Sequence, residues 1–300
     1  MGKFSEIAAG SGPPERMPPE RIPVDISVRP YMRDHVSRGR IVLPAVEAMQ
    51  LLAGAAACLQ PGLDVLGMAG STFRKFLVID PADEKIAAFA RVEAVSADAV
   101  TLALMTRQPL KSGFSRNHEH ARLRFGSPAA DALNTAEPLE IPDGEPDGEP
   151  DMQVAADRVY AELVPFGPAY QNIAGSLRLY ADCAAAEVRA ADYPQSAGPL
   201  GSPFPLDAAF HAACVWCQRY QGFVGFPVGF DRRVIRQRTC PGETYSARAF
   251  PVTVDQGRCL FDIWLSQPEN GAFEVIHGVR MQDVSGGGVR PPGWIGEGRC

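Results

Sequence analysis

Two long apolar runs punctuate the chain. The first, Ile41 to Leu59, is broken only by Glu47 and Gln50; in the second, from Phe204 to Cys217, only Asp207 and His211 are polar. Both runs are too long for a strand, so the pattern predicts helices over about 44–59 and 204–220. A helix that is apolar on all sides has to be enclosed by other elements. Each run is followed by alternating apolar and polar stretches that predict strands, near 71–79, 86–96, 98–107 and 117–126 in the first half, and near 228–238, 243–254, 258–266 and 272–283 in the second. Along His118-Glu119-His120-Ala121-Arg122-Leu123-Arg124-Phe125 the alternation points both histidines to solvent and Leu123 and Phe125 inward.

Periodicity stops after Phe125. Residues 127–152 are rich in Pro, Asp, Glu and Gly, with the tandem Asp143-Gly144-Glu145-Pro146 and Asp147-Gly148-Glu149-Pro150, and cannot bury enough surface to fold. The expected division is a folded unit over 1–126, an acidic linker over 127–152, a second unit over 153–285 and a flexible tail over 286–300. Aligning the helix starts at Pro44 and Pro205 pairs Gln50 with His211, a weak internal repeat. One helix followed by antiparallel strands, twice over, predicts an α+β fold of two units, each a curled antiparallel sheet wrapped around a central helix.

Composition narrows the function. The chain has 300 residues, 46% of them hydrophobic, and a formal net charge of −6, which argues against a nucleic-acid binder. Charged and polar breaks in the apolar runs argue against a membrane span. Met1-Gly2-Lys3-Phe4-Ser5-Glu6 has no apolar core of a signal peptide, so a cytoplasmic location is expected. Seven cysteines without regular spacing fit reduced thiols, and Cys214 and Cys217, a C-x-x-C pair with no second pair, read as core thiols and not as zinc ligands.

Three short segments carry candidate chemistry. His35 stands four residues before Gly39 and nine before Pro44, giving H-x-x-x-G-x-x-x-x-P. Asp207 and His211 give D-x-x-x-H on one helix face, and Phe166-Gly167-Pro168-Ala169-Tyr170 lies between them. A carboxylate on an enclosed helix loses hydration, which favours its protonated form and suits it to act as an acid. In type and order the three segments resemble the dehydratase domains of polyketide and related fatty-acid synthases, a double-hotdog family, over roughly residues 20–285.

The resemblance implies removal of water from a 3-hydroxyacyl thioester to give a trans-2-enoyl thioester. His35 would be the base for the C2 proton and Asp207 the acid for the C3 hydroxyl. The amide of Gly39 would bind the thioester carbonyl, the helix opening at Pro44 would turn its positive end to the site, and His211 would orient Asp207. Phe166, Gly167 and Pro168 would lie along the substrate. Phe166 stands where many relatives carry a tyrosine, and Ser202-Pro203-Phe204-Pro205 departs from the family's H-P-x-L-L. The implied partner is an acyl carrier protein or a coenzyme A thioester, with Arg33, Arg38 and Arg40 and the group Arg232, Arg233, Arg236 and Arg238 as basic surface for it. No nucleic-acid or membrane partner is implied, and a homodimer is compatible. The only prosthetic chemistry is the phosphopantetheine arm that carries the substrate. Alternative readings are a hotdog isomerase or thioesterase, or a non-catalytic acyl-carrier binding module.

Overall fold

In the computed structural model, which describes residues 21–110, 113–126, 141, 148–267 and 271–297, both apolar runs form helices. The first half contains β1 (Arg21–Ser27), β2 (Val36–Ser37), β3 (Arg40–Val42), α1 (Ala45–Leu59), β4 (Gly67–Phe73), β5 (Val78–Ile79), β6 (Lys85–Val95), β7 (Ala99–Pro109) and β8 (Ser115–Gly126). The second contains β9 (Met152–Ala155), β10 (Ile173–Tyr180), β11 (Cys183–Arg189), α2 (Phe204–Gln221), β12 (Phe226–Gly229), β13 (Arg232–Ile235), β14 (Thr244–Asp255), β15 (Arg258–Gln267) and β16 (Gly271–Gln282).

The strands of the two halves join in one antiparallel sheet, ordered β1-β6-β7-β8-β4-β13-β16-β15-β14-β11-β10-β9, with β12 also on β16 and a small sheet β2-β3-β5 apart. The seam is β4 against β13, where Arg233 pairs with Met68 and Val234 with Gly67. Helix α1 packs on β1, β7 and β8, α2 on β11, β14 and β15, and the two helices touch. Every residue of α2 from Phe204 to Arg219 is buried, as its unbroken apolar composition requires. This is the double-hotdog arrangement. Among the described residues no helix is long and apolar enough to cross a membrane.

The structure departs from the sequence-based expectations in four places. The stretches expected as single strands near 71–79 and 228–238 each split in two, the second at Phe230-Asp231. Strands β1, β9, β10 and β11 form in segments that showed no clear strand pattern; β1 finds its partner β6 about sixty residues later. Arg233, expected in an exposed basic group, is buried and paired with Glu274 at 2.9 Å, with Met49 of α1 against its guanidinium. The expected flexible tail is docked as far as residue 297. Arg219, buried at the end of α2, donates to the carbonyls of Ile295 and Glu297, Ile295 is fully buried, and Trp294 lies under the Arg158 guanidinium at 3.5 Å. A buried guanidinium needs acceptors, and the tail supplies them. Of the linker, only residues 141 and 148–152 are among those described.

Because the sheet and core run across the seam, a single cut between about 135 and 150 is expected to leave the halves associated. Size-exclusion chromatography of the nicked protein checks this; two soluble halves eluting apart would contradict it.

Candidate active site

The spacing of the His35 segment has a geometric origin. Strands β2 and β3 form a hairpin closed by Arg38 and Gly39, whose φ values are 52° and 70°. Such a two-residue turn needs positive φ at both positions, which glycine adopts without strain. The hairpin returns Val42 to His35: the Val42 amide donates to the His35 carbonyl at 3.0 Å, and His35 Nδ1 lies 2.9 Å from the Val42 carbonyl. A carbonyl only accepts, so Nδ1 carries the proton and Nε2 keeps a free lone pair. Gly39 itself is exposed at the turn and lies outside the cavity lining. In this structure its part is to close the turn.

The second half then clamps this histidine. The Gly167 amide donates to the Asp34 carbonyl at 2.8 Å, and the Ala169 amide to Asp34 Oδ2 at 2.9 Å. A Cβ on Gly167 would stand 2.7 Å from Asp34 carbons, so only glycine permits the approach. Docked this way, Phe166 stacks on the His35 ring at 4.3 Å and 21°, while Tyr170 meets the ring's edge at 5.0 Å. Gly167 and the exposed Pro168 position Phe166 and do not line the cavity. His35 is open only on its cavity side; desolvation holds its pKa below 6.5, opposed by the nearby Asp207 carboxylate.

From α2, Asp207 and His211 reach the same cavity one turn apart. Asp207 Oδ2 lies 3.0 Å from His211 Nε2, but the alignment falls outside that of a hydrogen bond, and both atoms are buried without a hydrogen-bond partner among the described residues. The expected hydrogen bond is thus a close contact. The Tyr160 hydroxyl accepts the Ile173 amide at 2.8 Å and sits 3.4 Å from His211 Nδ1. Its proton turned to Nδ1 leaves the histidine's own proton on Nε2, toward Asp207. Phe166 also touches His211, at 5.1 Å between rings. The cavity holds about 410 Å³, within the usual range of small-molecule sites. Pro44 precedes α1 as expected but is not in the lining; Ala45 and Ala48, in the first turn of α1, are.

Three neighbours were not visible as site residues in the sequence. His120 lines the cavity and is buried. Opposite it, β7 passes from Leu104, paired with Ala121, to Met105, paired with Glu119. The extra residue is a bulge that reverses the alternation and turns His120 inward. The Tyr170 hydroxyl is fully buried with no hydrogen-bond partner among the described residues. The segment's phenol, Tyr170, thus lies behind His35. Glu47 of α1 is a second buried carboxyl, accepting the Tyr31 hydroxyl at 3.1 Å, with its pKa pushed up to about 7, mainly by burial. Glu47 borders a smaller cavity of about 290 Å³ together with Gln50 and Ser196. Ser196 stands nine residues before Pro205, as His35 stands nine before Pro44. The second cavity mirrors the first but holds no base at that position.

The family described as the polyketide synthase dehydratase N-terminal domain matches residues 140–291, just over half of the chain. Among solved structures, a trans-AT polyketide synthase dehydratase domain from Brevibacillus brevis superposes with a TM-score of 0.67 at 15% identity, covering 88% of this chain and 93% of that one. The dehydratase domain of the CurF module of the curacin polyketide synthase gives 0.66 at 16%, covering 90% and 95%. That of a mycocerosic acid synthase-like polyketide synthase gives 0.64 at 15%, covering 90% and 93%. At such identities these structures establish the fold. No curated protein matches the chain in sequence.

Glu47 yields a stability prediction. Its pKa is about 7 in the folded protein against 4.5 ordinarily, so its contribution is fully present below about pH 4.5 and is lost as pH rises through about 7. Glu47→Gln keeps an acceptor for Tyr31 but no longer titrates. Relative to the variant, the wild type is expected to lose of order 1–3 kcal/mol between pH 5 and 8, read from Tm at the two pH values. Parallel pH dependences would show that Glu47 does not titrate in this range.

Proposed function

The chain belongs to the polyketide synthase dehydratase family, and from that premise we propose that it removes water from 3-hydroxyacyl thioesters with His35 as base and Asp207 as acid. The observation that carries this reading is the meeting, in one cavity, of a neutral imidazole from the first half and a buried carboxyl from the second. His35 Nε2 takes the C2 proton. Its Nδ1–H stays on the Val42 carbonyl, which steadies the ring and the imidazolium that forms. Asp207 delivers a proton to the C3 hydroxyl as it leaves as water, and each group is worth about 10²–10⁴-fold when well placed.

Charge growing on the thioester oxygen needs positive potential. The amide end of α1 borders the cavity at Ala45 and Ala48, and its dipole favours negative charge there. Phe166 offers no hydroxyl to the leaving group; its work is to hold His35 and His211 by ring contact. The reading extends to the partner. Arg38, Arg74 and Lys75 line the outer cavity and are exposed, and cations there suit the phosphate of a phosphopantetheine arm on an acyl carrier protein.

His35→Ala and Asp207→Asn are each expected to slow dehydration of a 3-hydroxyacyl pantetheine thioester by at least about 10²-fold with little change in Tm. Mass spectrometry follows the loss of water. Near-normal turnover by either folded variant removes that residue from the mechanism, and release of free acid or a shifted double bond in the wild type points instead to a thioesterase or an isomerase.

The histidine also sets a pH limb. A base works unprotonated, and burial holds the His35 pKa below 6.5, so the acid limb of kcat/KM is expected to be centred below pH 6.5. An acid limb centred at 6.5 or above, absent a substrate pKa, would assign the base role elsewhere.

A further inference from the structure

The two ends of the cavity differ in chemistry. Its outer end carries the exposed Arg38, Arg74 and Lys75, while Ala48, Phe210, Cys214, Val224 and Gly225 close its inner end and are all buried. Of the polar side chains that line the space, His120 and Cys214 are buried and already engaged. His120 has Nδ1 on the Lys75 carbonyl at 3.0 Å and Nε2 on the Thr106 hydroxyl at 2.7 Å, so both ring nitrogens are occupied. The Cys214 thiol receives the Gln218 amide at 3.5 Å.

Resting on the reading above, we propose that this site selects a reduced, aliphatic acyl chain with no polar group beyond C3, its tail lodged against Phe210, Cys214 and Val224 and its thioester arm leaving past Arg38, Arg74 and Lys75. A hydroxyl carried further along the chain would enter an apolar end whose polar neighbours are taken, and would lose its water without replacement. An apolar tail gains with each methylene buried. Room sets a limit: the gain ends once the tail fills the space bounded by the buried inner wall. Cys214 fits this assignment as well. Burial pushes its thiol up to about 11, so it stays protonated beside an enoyl product that a thiolate would attack at C3.

Binding of saturated, unreactive acyl-pantetheine thioesters, measured by calorimetry on the intact protein, tests this apart from catalysis. Kd is expected to fall about three- to fourfold per added methylene until the tail fills the inner end, then level off. A 5-hydroxyoctanoyl thioester is expected to bind at least about tenfold more weakly than the octanoyl one. Cys214→Leu, by narrowing the inner end, should lower the ratio of long-chain to short-chain affinity. A Kd indifferent to chain length, or equal binding of the 5-hydroxy chain, overturns the proposal. Turnover of the matching 3-hydroxyacyl series is recorded separately: binding with the expected trend but no water loss supports the pocket assignment and refutes the dehydratase reading.

Discussion

Everything at the site hangs on Asp34, which receives two backbone amides from the other half of the chain. Its carbonyl takes Gly167 and its carboxylate takes Ala169. Backbone donors have to be satisfied where they are buried, and here the partner lies more than 130 residues away in sequence. With those two bonds in place Phe166 can only lie over His35, and Tyr170 only behind it. His35 of one half is thus held by the other, so the candidate site forms only as the halves assemble. The seam of β4 and β13 and the buried Arg233–Glu274 pair beneath it supply the continuous frame.

Burial then sorts the titratable groups into roles. A half-enclosed His35 is kept neutral by desolvation, with its one ring proton on Val42. The buried phenols Tyr31, Tyr160 and Tyr170 are all held protonated by the same desolvation; Tyr31 donates to Glu47 and Tyr160 faces His211 Nδ1. The close approach of Asp207 and His211 without hydrogen-bond alignment leaves two buried polar atoms unsatisfied, a cost that folded proteins accept mainly where a ligand or reaction uses it.

The internal repeat takes on physical meaning in three dimensions. Gln50 of α1 is tied to the loop before α2, donating to the Gly201 carbonyl at 2.6 Å and accepting the Leu200 amide at 3.0 Å. His211, its counterpart on α2, faces the loop before α1 through the cavity. Where Gln50 fills its loop, Gly198 has no space for a side chain, and Ser196 replaces the histidine. The smaller cavity of the pair is narrowed by these hydrogen bonds, and the larger one holds His35, Asp207 and His211.

By itself the sequence determined the helices, the strands that follow them, and the identities of His35, Asp207 and His211. The helices and strands were legible because an all-apolar helix and a period-two strand are local patterns, Asp207 because a carboxylate on such a helix stands out against its neighbours, and His35 through its spacing to Gly39 and Pro44 and the resemblance that spacing carries. Tertiary structure alone decided the rest. The leading strands, the docked tail around Arg219 and the Asp34 clamp depend on partners distant in sequence. His120 faces inward because of a bulge that shifts registration against β7, which alternation along β8 cannot reveal. Gly39 and Gly167 share a residue type and a place in a motif, yet one closes a turn and the other lets two halves touch. That difference lies in φ and in what stands opposite, and neither is written in the residue itself.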